Sequence, residues 1–411
     1  MNADVTEPEG AHPADLPLRP RRRWLRWTAL GASVAVLAAA GVVWTLYTQL
    51  DGNIRTDVET VNQLRRFESE RPAAVVHEAE NILLIGSDDR GGDNGKYGRD
   101  SGTQRSDTTI LLHLSADRSS ATGVSIPRDL MVEIPACERP DGTTVEPRFA
   151  QFNWAFQLGG AGCTIRTVEK LTGIRVDHHV VVDFTGFTKL VDAVGGVEVC
   201  LAEPVDDPDA QLTLDAGPQT LDGEQALGYV RTRKGIGDGS DTQRMARQQE
   251  FLSLLVRKVH DEGILTDPSK LYSVLDAVTS SLTADPGLDS LSELYDLVDS
   301  VRDVPADRVR FMTAPRQPYT YNPNRDELVQ PDADRLFTAL RNDEPVPEPE
   351  PSDAESGSPE TTAPGTPSPS ATGAGVSKAG FAAPNAGTGL PEPTASPSSG
   401  QQTSVAGNPC G

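Results

Sequence analysis

Asn81-Ile82-Leu83-Leu84-Ile85-Gly86 is an almost wholly apolar run of strand length, and Thr109-Ile110-Leu111-Leu112-His113-Leu114 repeats the pattern after a polar interval. Runs this short and this apolar are expected of strands covered on both faces, because a strand with one wet face alternates. Residues 122–126, 178–184 and 197–201 read the same way. Helical patterns fall between them at 149–158, 165–171, 184–194, 225–229 and 241–260. In the last, Met245, Leu252, Leu255, Val256 and Val259 form an apolar stripe at helical spacing. Helices at 268–283 and 288–301, a strand at 309–312 and a closing helix at 333–341 complete the series. Strands interleaved with helices predict an α/β sandwich of one large domain over residues 75–343.

Outward from this middle the composition changes twice. No charged side chain occurs from 27 to 50, a run long enough to cross a bilayer as a helix. Arg19, Arg21, Arg22, Arg23 and Arg26 precede it, so residues 1–26 are expected to be cytoplasmic and everything after Leu50 outside. A cleaved signal peptide ending near Ala38-Ala39-Ala40 is the competing reading. The apolar run continues through Val42, Val43, Trp44 and Leu46 beyond that point, which favours an uncleaved anchor. Residues 51–74 read as an extracytoplasmic stalk, partly helical. From 344 to 411, Pro, Ser, Thr, Gly and Ala dominate; such a composition buries too little surface to offset chain entropy and predicts a disordered spacer, wall-threading segment or solvated tail.

The 411 residues carry 37 Lys+Arg against 60 Asp+Glu, a net charge of −23, which argues against nucleic acid as a partner. Gly-x-Ser-x-Gly and His-Glu-x-x-His motifs are both absent from the sequence, and His178 and His179, adjacent on a strand, face opposite ways and read as structural. Arg90-Gly91-Gly92-Asp93-Asn94-Gly95-Lys96-Tyr97 follows a strand but lacks the first glycine and the Ser/Thr of a phosphate loop; it reads as a Gly-rich surface loop.

What remains is a set of arginines and aspartates at strand ends and turns. Asp88, Asp89 and Arg90 follow the first strand; Arg105, Ser106 and Asp107 precede the second; Arg128 and Asp129 follow the third, after Pro127. Arg231 and Arg233 read as sharing one face of an extended segment, and Arg244, Arg247 and Gln248 as sharing one exposed helix face. Guanidinium groups match phosphate oxygens bidentately, and paired carboxylates hold a hard cation that bridges the same oxygens, so the ligand implied is a diphosphate. Outside a membrane, a phosphoryl-transfer enzyme needs a donor that arrives activated, such as a polyprenyl-diphosphate-linked glycan.

At these residues the sequence resembles the LytR-CpsA-Psr family of bacterial cell-envelope proteins, in its actinobacterial form. The matching segments include Leu84-Ile85-Gly86-Ser87-Asp88-Asp89-Arg90, Arg105-Ser106-Asp107-Thr108, Ser125-Ile126-Pro127-Arg128-Asp129, Leu221-Asp222-Gly223-Glu224-Gln225-Ala226-Leu227, Tyr229-Val230-Arg231-Thr232-Arg233 and Asp241-Thr242-Gln243-Arg244-Met245-Ala246-Arg247-Gln248-Gln249. The resemblance implies an α/β/α sandwich with a mixed central sheet and a long apolar cavity for a polyprenyl tail. It implies transfer of a glycopolymer from a polyprenyl-diphosphate carrier to a peptidoglycan hydroxyl, forming a phosphodiester. Carried over by motif, Asp88 and Asp107 hold Mg²⁺ (or Mn²⁺), and Arg105, Arg128, Arg231, Arg233, Arg244 and Gln248 clamp the diphosphate. Arg128 and Asp129 are then the catalytic pair, with Asp129 either positioning the acceptor hydroxyl or orienting Arg128. Export makes a Cys137–Cys163 disulfide the expected pairing; Cys200 and Cys410 have no partner evident from the sequence. A lipid-diphosphate hydrolase and a non-catalytic envelope-binding or regulatory protein are the alternative functions.

Overall fold

The computed structural model describes residues 21–88, 92–97, 106–139, 141–237, 239–302, 304–346 and 402–403. The chain divides into two units at Asn53/Ile54. The first contains α1 (Arg21–Asn53), within which Arg26–Asn53 is a helix of 28 residues with a mean hydropathy of 2.0 in its most apolar window. At 1.5 Å per residue it extends about 42 Å, enough by length and composition to cross a bilayer core of about 30 Å.

The second unit is built on a mixed sheet. In chain order its strands are β1 (Arg55–Thr56), β2 (Glu80–Ser87), β3 (Ser106–Leu114), β4 (Ala121–Ser125), β5 (His178–Val182), β6 (Leu282–Ala284) and β7 (Val309–Thr313). Their spatial order is β1-β6-β5-β2-β3-β4-β7, and Gln402–Thr403 pairs antiparallel on the outer side of β7. The pairs β1/β6, β2/β5 and β4/β7 are parallel; β5/β6, β2/β3 and β3/β4 are antiparallel.

Alternate residues of β2 serve opposite layers. Leu83 and Ile85 join Leu111, Val124 and Met312 in a core closed by α2 (Val58–Arg66), α3 (Trp154–Thr172) and α9 (Asp332–Arg341). Ile82 and Leu84 face the other way, towards α8 (Leu291–Val301). On that second face α4 (Phe184–Ala193), α5 (Gly223–Arg231), α6 (Asp241–Asp261) and α7 (Pro268–Thr279) pack with the hairpin Val197–Leu201/Gly217–Leu221. Leu83, Ile85, Leu111 and Val124 are fully buried, each contributing about 1.5–3 kcal/mol relative to exposure. The arrangement is the expected α/β/α sandwich.

Several expectations are corrected. Residues 149–158 are not one helix: Arg148–Gln151 is a strand paired with Met131–Ile134, and α3 begins at Trp154 and continues through a kink at Gly159 and Gly160. The cysteine pair is present, with Cys137 bonded to Cys163, but Cys163 lies inside α3. The helix at 225–229 extends over Gly223–Arg231, because Asp222 and Gln225 form a capping box at its start. The helices at 268–283 and 288–301 stop at Thr279 and start at Leu291, leaving room for β6. Strand 197–201 lies in its own two-stranded sheet. The folded unit begins at Ile54, and α2 packs on α3, with Leu64 in the core and Arg71 donating to Glu169 at 2.6 and 3.0 Å. Residues 347–401 and 404–411 of the tail lie outside the described residues.

Candidate functional site

Strand register gathers the chemistry at one end of the sheet. Ser87 at the end of β2 pairs with Ser106 at the start of β3, and Gly86 pairs with Val182 at the end of β5. Asp88 and Asp107 therefore stand at adjacent strand ends. Beyond β4 the Ile126 N–H donates to Thr109 O (2.9 Å), and Leu130 N–H to Pro127 O (3.1 Å), so the Pro127-Arg128-Asp129 turn lies alongside Asp107. Arg128 Nη1 donates to Asp107 Oδ1 at 2.9 Å, and its Nε donates to Asp129 Oδ2 at 3.2 Å.

The start of α6 completes the cluster. Asp241 Oδ1 lies 2.7 Å from Arg244 Nη2, 3.5 Å from Arg128 Nε and 3.7 Å from Arg233 Nη2. Both of its oxygens are buried and none of these contacts has hydrogen-bond geometry, so charge alone holds the group. Burial works against the Arg128 cation, but the carboxylates of Asp241, Asp107 and Asp129 outweigh it and raise its pKa above the ordinary value. Arg244 goes the other way: deep burial, with only partial compensation from Asp241 and repulsion from Arg128 and Arg233, lowers its pKa. Arg233 reaches the cluster from a loop whose Gly239 sits at φ +77°, where a Cβ would come within 2.6 Å of Arg233 O.

Other members lie outside the sequence-derived set. Asp129 also accepts from Gln151 Nε2 on the Arg148–Gln151 strand and from Arg325 Nη1 (3.4 Å) on the hairpin Arg316–Tyr319/Asn322–Leu328. In that hairpin Asp326 pairs with Arg316; burial raises its carboxyl pKa despite Arg316, and the charges of Asp241 and Asp129 add to the rise. Behind the Arg233 loop, fully buried Asp207 accepts from the Thr232 hydroxyl and from the N–H groups of Arg233 (3.2 Å) and Lys234 (3.3 Å). Asp241 alone had a sequence signal, standing three residues before Arg244 and directly after the Ser240 cap.

The remaining candidates are placed differently from expectation. Arg231 is the last residue of α5, not part of an extended segment, and its Cζ lies 4.5 Å from the Phe184 ring centroid. Arg244 and Arg247 are each 5 % exposed, so the shared helix face is buried, because α6 packs against α5 and the sheet. Arg247 donates to Tyr229 O (2.9 Å) and Thr232 O, fixing the end of α5. Gln248 donates to Val230 O (3.1 Å) and accepts from Thr108 Oγ1 (3.4 Å), bridging α5 and β3. The Gly-rich loop is anchored rather than superficial at Asn94, which donates to Asp183 (3.0 Å) and accepts from Thr185 N–H (3.0 Å) at the start of α4. Arg105, Asp89 and Arg90 lie outside the described residues. His179, paired with Asp57 at 3.2 Å, and His178, paired with Asp285 at 3.1 Å, are structural as expected.

Two carboxylates at neighbouring strand ends suit Mg²⁺, which takes one or two protein carboxylates and completes its shell with water and phosphate oxygens. Asp107 spends Oδ1 on Arg128 and remains 39 % exposed. Among the described residues no group of three or more His, Cys, Asp or Glu side chains is arranged for a metal. A cavity of about 520 Å³ lies at the opposite end of the sheet, lined by His113, Arg310 and Asp343 among others, and one of about 220 Å³ lies beside His178 and His179; neither is the long apolar cavity expected.

The LytR_cpsA_psr family profile matches residues 46–342. The probable cell wall biosynthesis protein LcpB of Corynebacterium glutamicum is 36 % identical over 234 residues, covering 55 % of this chain and 53 % of its own length. The polyisoprenyl-teichoic acid–peptidoglycan teichoic acid transferase TagT of Bacillus subtilis is 27 % identical over 299 residues, 70 % of this chain and 85 % of that one. The chain spans about half the length of its corynebacterial relatives. A solved LytR-Csp2A-Psr enzyme from Actinomyces oris superposes with a TM-score of 0.51 at 23 % identity, over 66 % of this chain and 93 % of its own, and shares the fold. With the profile covering the sheet, the Arg128 turn and the start of α6, the chain belongs to the LytR_cpsA_psr family.

Proposed function

We propose that this protein transfers a glycopolymer from a polyprenyl-diphosphate carrier to a peptidoglycan hydroxyl, as the teichoic acid transferase activity named for the TagT relative suggests. The observation that carries the reading is the convergence of Arg128, Arg233 and Arg244 on Asp241, beside Asp107 and Asp129, at one end of the sheet. Permanent cations in a partly desolvated cluster stabilise a diphosphate more strongly than the same charges in water. The donor diphosphate would exchange with Asp241 for these guanidinium groups, with Arg231 and, by motif, Arg105 as further cations. Gln248 and Arg247 hold the end of α5 and so position Arg231 and Arg233.

In the reaction the acceptor oxygen attacks the phosphorus that carries the glycan. The P–O bond to the polyprenyl phosphate breaks, a P–O bond to the acceptor forms, and polyprenyl monophosphate leaves. The acceptor proton passes to Asp129, which Gln151, Arg325 and Arg128 hold in place. Asp88 and Asp107 would hold Mg²⁺, or Mn²⁺, which when bound neutralises charge on the diphosphate oxygens. Helix α1 would anchor the chain with its N-terminus in the cytoplasm and the folded unit outside, where carrier and wall meet.

The full chain in lipid nanodiscs, given a polyprenyl-diphosphate glycan and peptidoglycan, tests the reading. Polyprenyl monophosphate and phosphodiester-linked glycan are the expected products, lost in Arg128→Ala and reduced by chelation. Free glycan phosphate in place of the wall-linked product would make the protein a hydrolase. Absence of both products from the parent would leave a non-catalytic role, and unchanged wall attachment in Arg128→Ala would remove Arg128 from the mechanism.

A further inference from the structure

Three aromatic side chains stand in a row beside Asp129. Phe149 is 54 % exposed and Tyr321 85 % exposed, with Tyr319 between them. Ring centroids are 6.1 Å apart from Phe149 to Tyr319 and 5.4 Å from Tyr319 to Tyr321, with interplanar angles of 52° and 60°. Exposing large rings is costly unless something covers them, and a row of them on a hairpin surface needs a reason.

The row is continuous with the transfer site. Phe149 and Gln151 are two apart on one strand and share a face, and Gln151 donates to Asp129. Tyr319 and Tyr321 belong to the hairpin whose Arg325 reaches Asp129, and the Asp326 N–H donates to Asp129 O at 3.1 Å. Polar groups border the rings: Gln317 and Thr320, close to Tyr319 in the hairpin, both donate to Glu327 at 2.9 Å. Three side chains form too small a patch for a stable protein partner, which needs about 800 Å² on each side. The C–H face of a pyranose carries partial positive charge and stacks on the negative face of an aromatic ring, while its hydroxyls use polar groups at the ring edges. Successive rings at these spacings suit successive sugars of a chain.

We propose that Phe149, Tyr319 and Tyr321 form a stacking subsite for the acceptor glycan strand, leading one of its hydroxyls to Asp129. The assignment to the acceptor follows from position: the row adjoins Asp129, whereas the phosphate-binding Arg233 and Arg244 come from the α5–α6 side. It rests on the transfer reading for the identity of the acceptor.

The test uses the full chain in detergent micelles and uncrosslinked, peptide-free peptidoglycan glycan strands, with binding measured calorimetrically. Inorganic diphosphate is titrated separately. The Phe149→Ala/Tyr321→Ala double variant should bind strands at least tenfold more weakly, and Tyr321→Phe, which keeps the ring, should stay within twofold of the parent. Diphosphate affinity should be unchanged in both. In the transfer assay the double variant should raise KM for peptidoglycan and leave KM for the donor unchanged. Strand binding that is absent in the parent, or insensitive to the double substitution, overturns the subsite. A rise in donor KM alone would assign the row to the donor glycan and also overturn it. Failure of the parent to bind diphosphate would instead remove the transfer reading, a separate outcome.

Discussion

Asp207→Asn keeps the volume of a fully buried side chain and changes only what its two oxygens can accept. In the native chain Oδ2 accepts from the Thr232 hydroxyl and from the N–H groups of Arg233 and Lys234, while Oδ1 accepts from Asp209 N–H (3.0 Å) and Ala210 N–H (3.3 Å). Whichever oxygen becomes an amide nitrogen then faces donors; placing it at Oδ1 costs least, because Ala210 N–H also donates to Asp207 O (3.1 Å) and Asp209 N–H is the donor left without an acceptor. At about 1–3 kcal/mol for an unsatisfied donor, the loss is about 1–3 kcal/mol. Titration gives a second figure. Burial opposes the charge, but the Thr232 hydroxyl and the backbone N–H groups outweigh it and hold the carboxyl at about 2, below its ordinary 3.8. That difference corresponds to about 2 kcal/mol favouring the charged form in the folded state. Because the folded value is the lower one, this stability is fully present above the unfolded pKa and is lost as pH falls from about 4 towards 2. Guanidinium unfolding of the full chain in detergent, followed by circular dichroism at pH 7, should show the variant destabilised by about 1–3 kcal/mol. Below pH 4 the gap to the parent should narrow. A loss under about 0.5 kcal/mol at pH 7, the range of an ordinary surface change, would refute the account of Asp207 as the anchor of the Arg233 loop.

Arg128→Lys keeps one positive charge but gives up the fork that reaches Asp107 and Asp129 together; diphosphate affinity measured by calorimetry should fall, and turnover should drop about 100-fold, the scale of losing one preorganised charged donor. Replacing both Cys137 and Cys163 by serine opens a loop with a sequence separation of 26, and chemical denaturation should report a loss of about 3 kcal/mol. The His178 pKa is raised, by its hydrogen bond to Asp285 against the effect of burial. Its contribution is therefore complete below about pH 6.5 and declines as pH rises through the higher folded value, so thermal melts should show a falling midpoint above that pH which His178→Gln flattens.

The central strands were legible because their apolar runs leave no alternative; β2 and β3 start and end within a few residues of the expected limits. The segment from 148 to 158 was not, since Phe149, Phe152 and Phe156 fit a helical spacing although the first belongs to a strand and Gln151 turns towards Asp129. Arg231 and Arg233 look extended in the sequence because nothing local announces that α5 continues past Tyr229; Arg247, reaching from α6 to Tyr229 O, is a tertiary reason invisible in the string. Within the cluster, Arg128, Asp129, Asp107 and Arg244 are recognisable from their places at strand ends and at a helix start. Arg325, Arg316 and Asp326 were not, for the 316–328 hairpin carries no periodic signal and meets Asp129 only through the fold.

Asp241 gives the arginines a built-in place-holder. On the proposed transfer reading, the three cations need not be pushed apart by their own repulsion before a donor arrives, so they wait already oriented. On the same reading the carboxylate would compete for the guanidinium groups as the lipid monophosphate leaves. In a chain with a net charge of −23, the phosphate-binding cations would thereby stay screened by a carboxylate of their own until an anionic carrier takes its place.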